Sequence, residues 1–315
     1  MPRKKIYILS AITSVIILAY LFTFTGTQLD YVLPRRGYKI LAMLLISCCI
    51  ATASIIFQTI TANRILTPSI MGFESVYVLF QTILVFIYGD QTFQAISAET
   101  NFLLSVLMMI GFALLLYFLI FKKDKNSVYF LLLVGLIMGA LFRSFTSFFQ
   151  MLIDPNEFFV VQNSMFASFN NVNTKLLGIS AIVLVVCLYL ISRYISRLNV
   201  LSLGKEHAIN LGINYNKLVK SNLIIIAIMV SISTALIGPI TFLGILVANL
   251  SYEYLKTYKH TTLIIGGSLI TCIAVIGGDY LVEHLFDMST TISIVINFVG
   301  GLYFLYLLLK KDKPW

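Results

Sequence analysis

The chain is expected to fold as an all-α polytopic membrane protein, a single domain over residues 1–315 with ten transmembrane helices and one short cytoplasmic helix between the sixth and seventh. Three observations support that class. Hydrophobic residues make up 59% of the sequence and charged residues 11%, with a mean hydropathy of +0.95, whereas a soluble domain carries roughly 25% charge. The apolar residues gather into runs of about 20, the length that crosses roughly 30 Å of hydrocarbon. The basic residues fall between those runs in ones and threes and lie mostly on one side. The net charge of +9 therefore does not point to nucleic acid, which calls for a concentrated basic patch.

The first span, 6–25, follows Arg3, Lys4 and Lys5. It is too long for a signal peptide and lacks a small-x-small cleavage site, so it is expected to stay in the membrane. Spans 38–60 and 69–88 come next, with Thr67 and Pro68 placed as N-cap and first helical residue of the third. The fourth, 101–121, is ended by Lys122, Lys123, Asp124 and Lys125. The fifth, 127–152, contains Gly135 and Gly139, a GxxxG spacing that lets two backbones approach closely, here within the subunit. The sixth is 173–196. After a polar interruption come 217–237, 240–258, 262–283 and 289–309, with Gly238-Pro239 forming a tight outer turn or a re-entrant turn lined by protein.

The interruption, residues 198–216, is the longest polar stretch with helix-forming content. Residues 205–211 can make two helical turns, closed by Gly212 where a left-handed residue is wanted, and Asn214 can cap the following helix. An ordinary interfacial loop helix is the alternative reading of this stretch taken alone.

Ten crossings put both termini on one side. That side carries Arg3, Lys4, Lys5, Arg64, Lys122, Lys123, Lys125, Arg193, Arg197, Lys205, Lys217, Lys220, Lys256, Lys259, Lys310, Lys311 and Lys313, seventeen of the 22 basic residues. The positive-inside rule then makes both termini and the polar stretch cytoplasmic.

The sequence holds no phosphate-binding loop and no nucleophile elbow. His207, His260 and His284 lie outside the apolar runs, too few for a multi-histidine metal centre. Cys48, Cys49, Cys187 and Cys272 read as small apolar packing groups. Three charges lie inside spans: Glu74 near the inner end of its span, Asp279 near the outer end of its own, and Arg143 about 24 Å from its inner end at 1.5 Å per residue. Intramembrane charges are functional suspects. None is placed at mid-bilayer, so pairing within the bundle or snorkelling is expected, and an ion-coupled secondary transporter using them is the alternative.

Motif spacing is more specific. Gln58, Asn63, Pro68 and Gly72 follow a Q-x4-N-x4-P-x3-G pattern. Leu203-Gly204, Ala208 and Leu211-Gly212 match LGxxxAxxLG, and Gly238, Ile240, Phe242 and Gly244 match GxIxFxG. With Leu33-Pro34-Arg35, Asp279, and Gly300, Phe304 and Leu307 to Leu309, this ordered set resembles the FecCD-type permeases of ATP-binding-cassette importers for iron-siderophore complexes, haem and vitamin B12. It is most similar to the catechol-siderophore subgroup, through the run 253–260 among others. Departures are Arg64 for proline, Val76 for glycine, Ala248, Asn249 and Tyr252 in place of PHxxR, Glu283 for arginine and Leu302 for proline.

The resemblance implies a pair of permeases, most simply a heterodimer, with the path between them. It also implies two ATPase subunits that bind ATP and Mg, an extracytoplasmic binding protein, and neither cofactor nor metal in this chain. Gly204, Lys205, Glu206, His207, Ala208, Leu211 and Gly212 would form the coupling helix, with the polar side chains contacting the ATPase and Ala208 and Leu211 packing in its groove. Arg35 and Arg36 would meet acidic residues of the binding protein. Phe166, Phe169 and Asn170, in an aromatic and amide-rich stretch, would form an outer gate.

Overall fold

A computed structural model describes residues 2–23, 29–89, 96–121, 128–170, 172–286 and 290–309, and these are helical with no strand among them. The helices are α1 (Pro2–Phe22), α2 (Leu29–Thr61), α3 (Phe73–Tyr88), α4 (Ala98–Phe121), α5 (Val128–Leu152), α6 (Pro155–Met165), α7 (Thr174–Leu201), α8 (Lys205–Asn210), α9 (Tyr215–Ile237), α10 (Leu243–Leu255), α11 (His260–Leu285) and α12 (Ile292–Leu309), with a 3-10 turn at Pro68–Met71 before α3. Among the described residues, α1, α2, α4, α5, α7, α9 and α11 are long and apolar enough to cross a membrane, while the apolar α3 and α12 are shorter. Helices prevail because a chain in hydrocarbon must satisfy each backbone group within its own segment.

The 33-residue α2 is the centre of the bundle. In its most apolar window 78% of residues are buried, against 17% for α1 and for α5. Helices α1, α7, α9, α10 and α11 surround it. Lipid tails supply no hydrophobic drive between helices, so close packing of small residues has to hold them. Gly267 of α11 is such a residue: a Cβ there would stand 2.7 Å from Ile55 Cδ1 and 3.0 Å from Ser251 Oγ. Helices α3, α4 and α5 form a second group, joined to the first by extensive packing of α4 on α9. Its contact is the predicted glycine pair, since a Cβ on Gly139 would meet Gly72 Cα at 3.0 Å and one on Gly135 would meet Met71 O at 3.1 Å.

Two breaks distinguish the structure from the predicted spans. The third span does not start as a helix at residue 69. The chain passes through Ala62 (φ 48°), the 3-10 turn and Gly72 (φ 88°) before α3 begins. This irregular stretch is tolerated because protein surrounds it: Thr67 is fully buried, and the Arg64 carbonyl accepts hydrogen bonds from Gln58 Nε2 (2.6 Å) and Asn249 Nδ2 (2.8 Å). The eighth span, predicted over 240–258, is the 13-residue α10, preceded by a turn at 238–242. Gly238 (φ 100°) makes that turn against the backbone of Phe166 and Ala167, so protein lines it. Elsewhere α2 starts nine residues before the predicted span and continues through Pro34, and α7 runs five residues past its predicted end, to Leu201.

The loop expected before the sixth span contains α6, whose N-cap Asp154 accepts a hydrogen bond from Asn156 N (2.9 Å). The charged clusters at 122–125 and 310–313 lie outside the described residues.

Both ends of the bundle are fixed by cross-links. At one end Lys5 Nζ donates to Tyr254 O, and His260 N donates to Asn199 Oδ1 (2.8 Å). At the other, Arg36 and Lys39 of α2 meet Asp279 and Glu283 of α11.

Candidate functional site

The polar stretch forms a protruding peg. After α7 the chain turns at Ser202 and Leu203, passes Gly204 (φ 114°) and makes the six-residue α8. Its C-terminus closes as a Schellman motif: Gly212 N donates to Ile209 O (2.9 Å) and Ile213 N to Ala208 O (3.0 Å), with Gly212 at φ 79°. Asn214 caps α9, its side chain accepting from Lys217 N at 3.0 Å. Lys205 Nζ lies 5.0 Å from the centre of the Tyr215 ring. Glu206, His207 and Gly212 are exposed, as are Leu203, Ile209 and Leu211.

Ala208 corrects the reading of this helix. It is 0% exposed and belongs to the protein's own core, so it is not available to a partner's groove. Its small side chain lets α8 sit against the bundle, and Leu211, 66% exposed, faces outward.

The root of the peg is a polar network. Asn199, in the last turn of α7, presents Oδ1 at 2.8 Å to both the backbone N and the Nδ1 of His260. An amide oxygen only accepts, so Nδ1 carries the proton, and Nε2 lies 2.8 Å from Thr59 Oγ1, whose single hydroxyl proton is shared between Nε2 and the Ile55 carbonyl at 2.9 Å. Thr59 Oγ1 is also 3.3 Å from Tyr252 OH, and the Arg64 guanidinium lies 4.6 Å from the Tyr252 ring centre. Two sequence departures thus touch each other: Arg64 stands where proline was expected and Tyr252 where arginine was. The guanidinium of one departure stacks on the ring of the other.

At the opposite end, Tyr20 OH donates to Asp279 Oδ2 (2.9 Å), and Lys39 Nζ bridges Asp279 (2.6 Å) and Glu283 (3.6 Å). Arg36 is here too, which corrects its placement as a docking residue. Its Nη1 donates to the Tyr20 and Thr23 carbonyls at the C-terminus of α1 (2.8 and 2.7 Å), and Nη2 meets Glu283 at 3.1 Å. A guanidinium is held there by both orphan carbonyls and the negative end of the helix dipole. Arg35 remains exposed and lines a cavity of about 960 Å³ with Tyr31, Phe169 and Asn170. Of the expected gate residues, Phe166 ends α6 and Phe169 is buried, while Asn170 is exposed. Between them Ala167 N donates to Ser293 Oγ (2.6 Å) and Ser168 N to Ile237 O (2.8 Å), so the stretch is wedged between α9 and α12.

The depth of Glu74 also differs from the sequence expectation. Gly72 abuts Gly139, the twelfth of the 25 residues of α5, and Phe73 stacks edge-on with Phe112 of α4 at 5.8 Å. Helix α3 therefore starts near half depth. The carboxylate of Glu74 accepts from Thr241 Oγ1 at 2.6 Å, the contact between α3 and the 238–242 turn. Arg143 is exposed, and its Nη1 donates to Ser75 Oγ at 3.1 Å. Hydropathy alone could not have found these positions, because the glycines set the depth at which α3 begins.

A many-spanned helical membrane protein with a rigid exposed peg at one end and polar groups at half depth has the build of a permease. The chain belongs to the FecCD transport family, whose model matches residues 6–310. It is 52% identical over 313 residues to the petrobactin import system permease protein YclO of Bacillus subtilis, covering 99% of both chains. It is 25% identical over 290 residues to YclN of the same organism, also a petrobactin import system permease protein, covering 89% of this chain and 84% of that one. Its fold is shared with a metal-chelate type ABC transporter in an inward-facing conformation, at a TM-score of 0.85 and 22% identity, over 99% of this chain and 100% of the other.

Proposed function

We propose that this chain is one of two unlike permease subunits of an ATP-binding-cassette importer that moves an iron(III)-siderophore complex, of the petrobactin kind, across a bacterial cytoplasmic membrane. The observation that carries the reading is the 52% identity to YclO over 99% of both chains. The weaker identity of 25% to YclN supports a heterodimer in which the partner is the YclN-like permease. In this reading the chain crosses the bilayer ten times, with both termini and the peg in the cytoplasm.

The peg enters a groove of one ATPase subunit. ATP and Mg are bound by two such subunits and not by this chain, which performs no chemistry of its own. Exposed Leu203, Ile209 and Leu211 supply the apolar contact, with Lys205, Glu206 and His207 around it. Closure of the ATPases displaces the peg, and the network from Asn199 through His260 and Thr59 to Tyr252 carries the displacement towards α2 and α10. Arg35 contributes to the docking of a substrate-loaded binding protein, and Phe166, Phe169 and Asn170 belong to the outer gate.

The test is uptake in proteoliposomes holding this chain with a second permease, the ATPases and the binding protein. Ferric siderophore should accumulate only with ATP and be unaffected by an ionophore. Uptake that ceases with the ionophore and persists without ATP would establish the ion-coupled alternative. A haem or vitamin B12 cargo would show as competition by those compounds.

A further inference from the structure

Arg143 is the least expected residue of α5. It lies three residues past the midpoint of the 25-residue helix, about 4.5 Å at 1.5 Å per residue, nearer the middle of the helix than the sequence reading placed it. It is exposed, and no acidic side chain pairs with it among the described residues. An arginine facing lipid at this depth is costly unless it snorkels. It does not snorkel: Nη1 is turned back to Ser75 Oγ (3.1 Å) and lies 3.6 Å from where a Gly139 Cβ would be, which directs the charge to half depth.

The turns around it agree. Between residues 140 and 148 the exposed arc divides by helical periodicity into two sectors. Leu141 and Phe148 represent a bulky sector suited to lipid. Ala140, Arg143, Ser144 and Ser147 form a small and polar sector on the side nearer α3, and exposed Leu133, Leu136 and Met151 continue that face as apolar towards the two helix ends. A polar strip at half depth is tolerated where it lines a water-filled space.

We propose that this sector of α5 lines the translocation path and that Arg143 is the residue there that contacts the cargo, selecting an anionic metal chelate by charge. The inference rests on the importer reading above. Among the described residues the guanidinium donates to one hydroxyl, which leaves its charge uncompensated and its other donors available to the oxygens of an anionic complex. The serine hydroxyls above it keep the route wet. One cation without a fixed counter-ion attracts the complex without trapping it, which passage requires.

The test uses the assembled transporter in proteoliposomes. Arg143→Gln should reduce uptake of an anionic ferric siderophore about tenfold, and Arg143→Lys should restore most of it, as for a contact that reads charge. A Ser147→Cys variant should react with a membrane-impermeant charged thiol reagent, and the ferric siderophore should slow that reaction. Wild-type uptake by Arg143→Gln would overturn the proposal, as would a thiol in Ser147→Cys that stays unreactive throughout the transport cycle. So would rescue of Arg143→Glu by reversing a charge on the second permease, which would make Arg143 half of an intersubunit ion pair. Failure of the importer reading is separable, because it appears as absent ATP-dependent uptake in the wild type, while the thiol reaction of Ser147→Cys still reports whether the α5 sector faces water.

Discussion

Lys39 is the residue on which the opposite-end cluster turns, because among the described residues it is the cation that meets both Asp279 and Glu283, where Tyr20 offers them only a hydroxyl. Removing one partner of a buried ion pair leaves the other charge uncompensated, at a cost of about 3 kcal/mol. Lys39→Met is therefore expected to lower the thermal midpoint of the protein in nanodiscs, and Lys39→Met with Asp279→Leu to recover much of the loss. The Arg64–Tyr252 stack gives a second expectation. Tyr252→Arg places two guanidinium groups side by side and should depress uptake. Adding Arg64→Pro should restore it, with the coupling read from a double-mutant cycle. Both departures stood in the sequence, but nothing in their wide separation along the chain said that they meet. Arg36 was misassigned for a related reason: a basic residue before a span looks free until the end of α1 is seen to lie under it.

At the scale of elements, the peg separates two kinds of residue. Ala208 faces inward and Leu211 outward. Ala208→Leu should overpack the contact with the bundle, at about 1–3 kcal/mol, and lower both thermal stability and uptake. Leu211→Asp should leave the melting temperature unchanged while weakening co-purification of the ATPase. If the two variants behave alike, the assignment of the peg's faces fails. The peg was legible because its capping residues are local: Gly212 and Asn214 signal the helix limits without tertiary information. The Asp154-Pro155 pair carried the same kind of signal for α6, which a reading based on runs of apolar residues passed over. The broken start of α3 was not legible. Hydropathy counts residues that tolerate lipid and is blind to whether they are helical, and here the buried partners at Arg64 and Thr67 permit a non-helical path.

For the whole molecule, the arrangement around α2 and the α3–α5 group are joined by the packing of α4 on α9 and by the Glu74–Thr241 hydrogen bond. If transport moves these groups relative to one another, a Glu74→Cys, Thr241→Cys variant joined by a short bifunctional thiol reagent should lose uptake. Transport that continues after complete cross-linking would mean the two groups travel as one body. The membrane class was readable from composition, since it follows from solvation by lipid. How the groups divide was not, because it depends on which glycines touch which backbones.

The closed backbone at the end of α8 has a consequence for how force enters the bundle. Its terminal amides and carbonyls are mutually satisfied, and the helix bears on the subunit through the methyl group of Ala208. Such a part has little slack to absorb a push and a narrow fulcrum on which to pivot. In the proposed coupling, a shove at its tip would therefore be delivered as a tilt at Asn199, so that the stroke felt by α7 and α11 would depend on the angle of engagement more than on its strength.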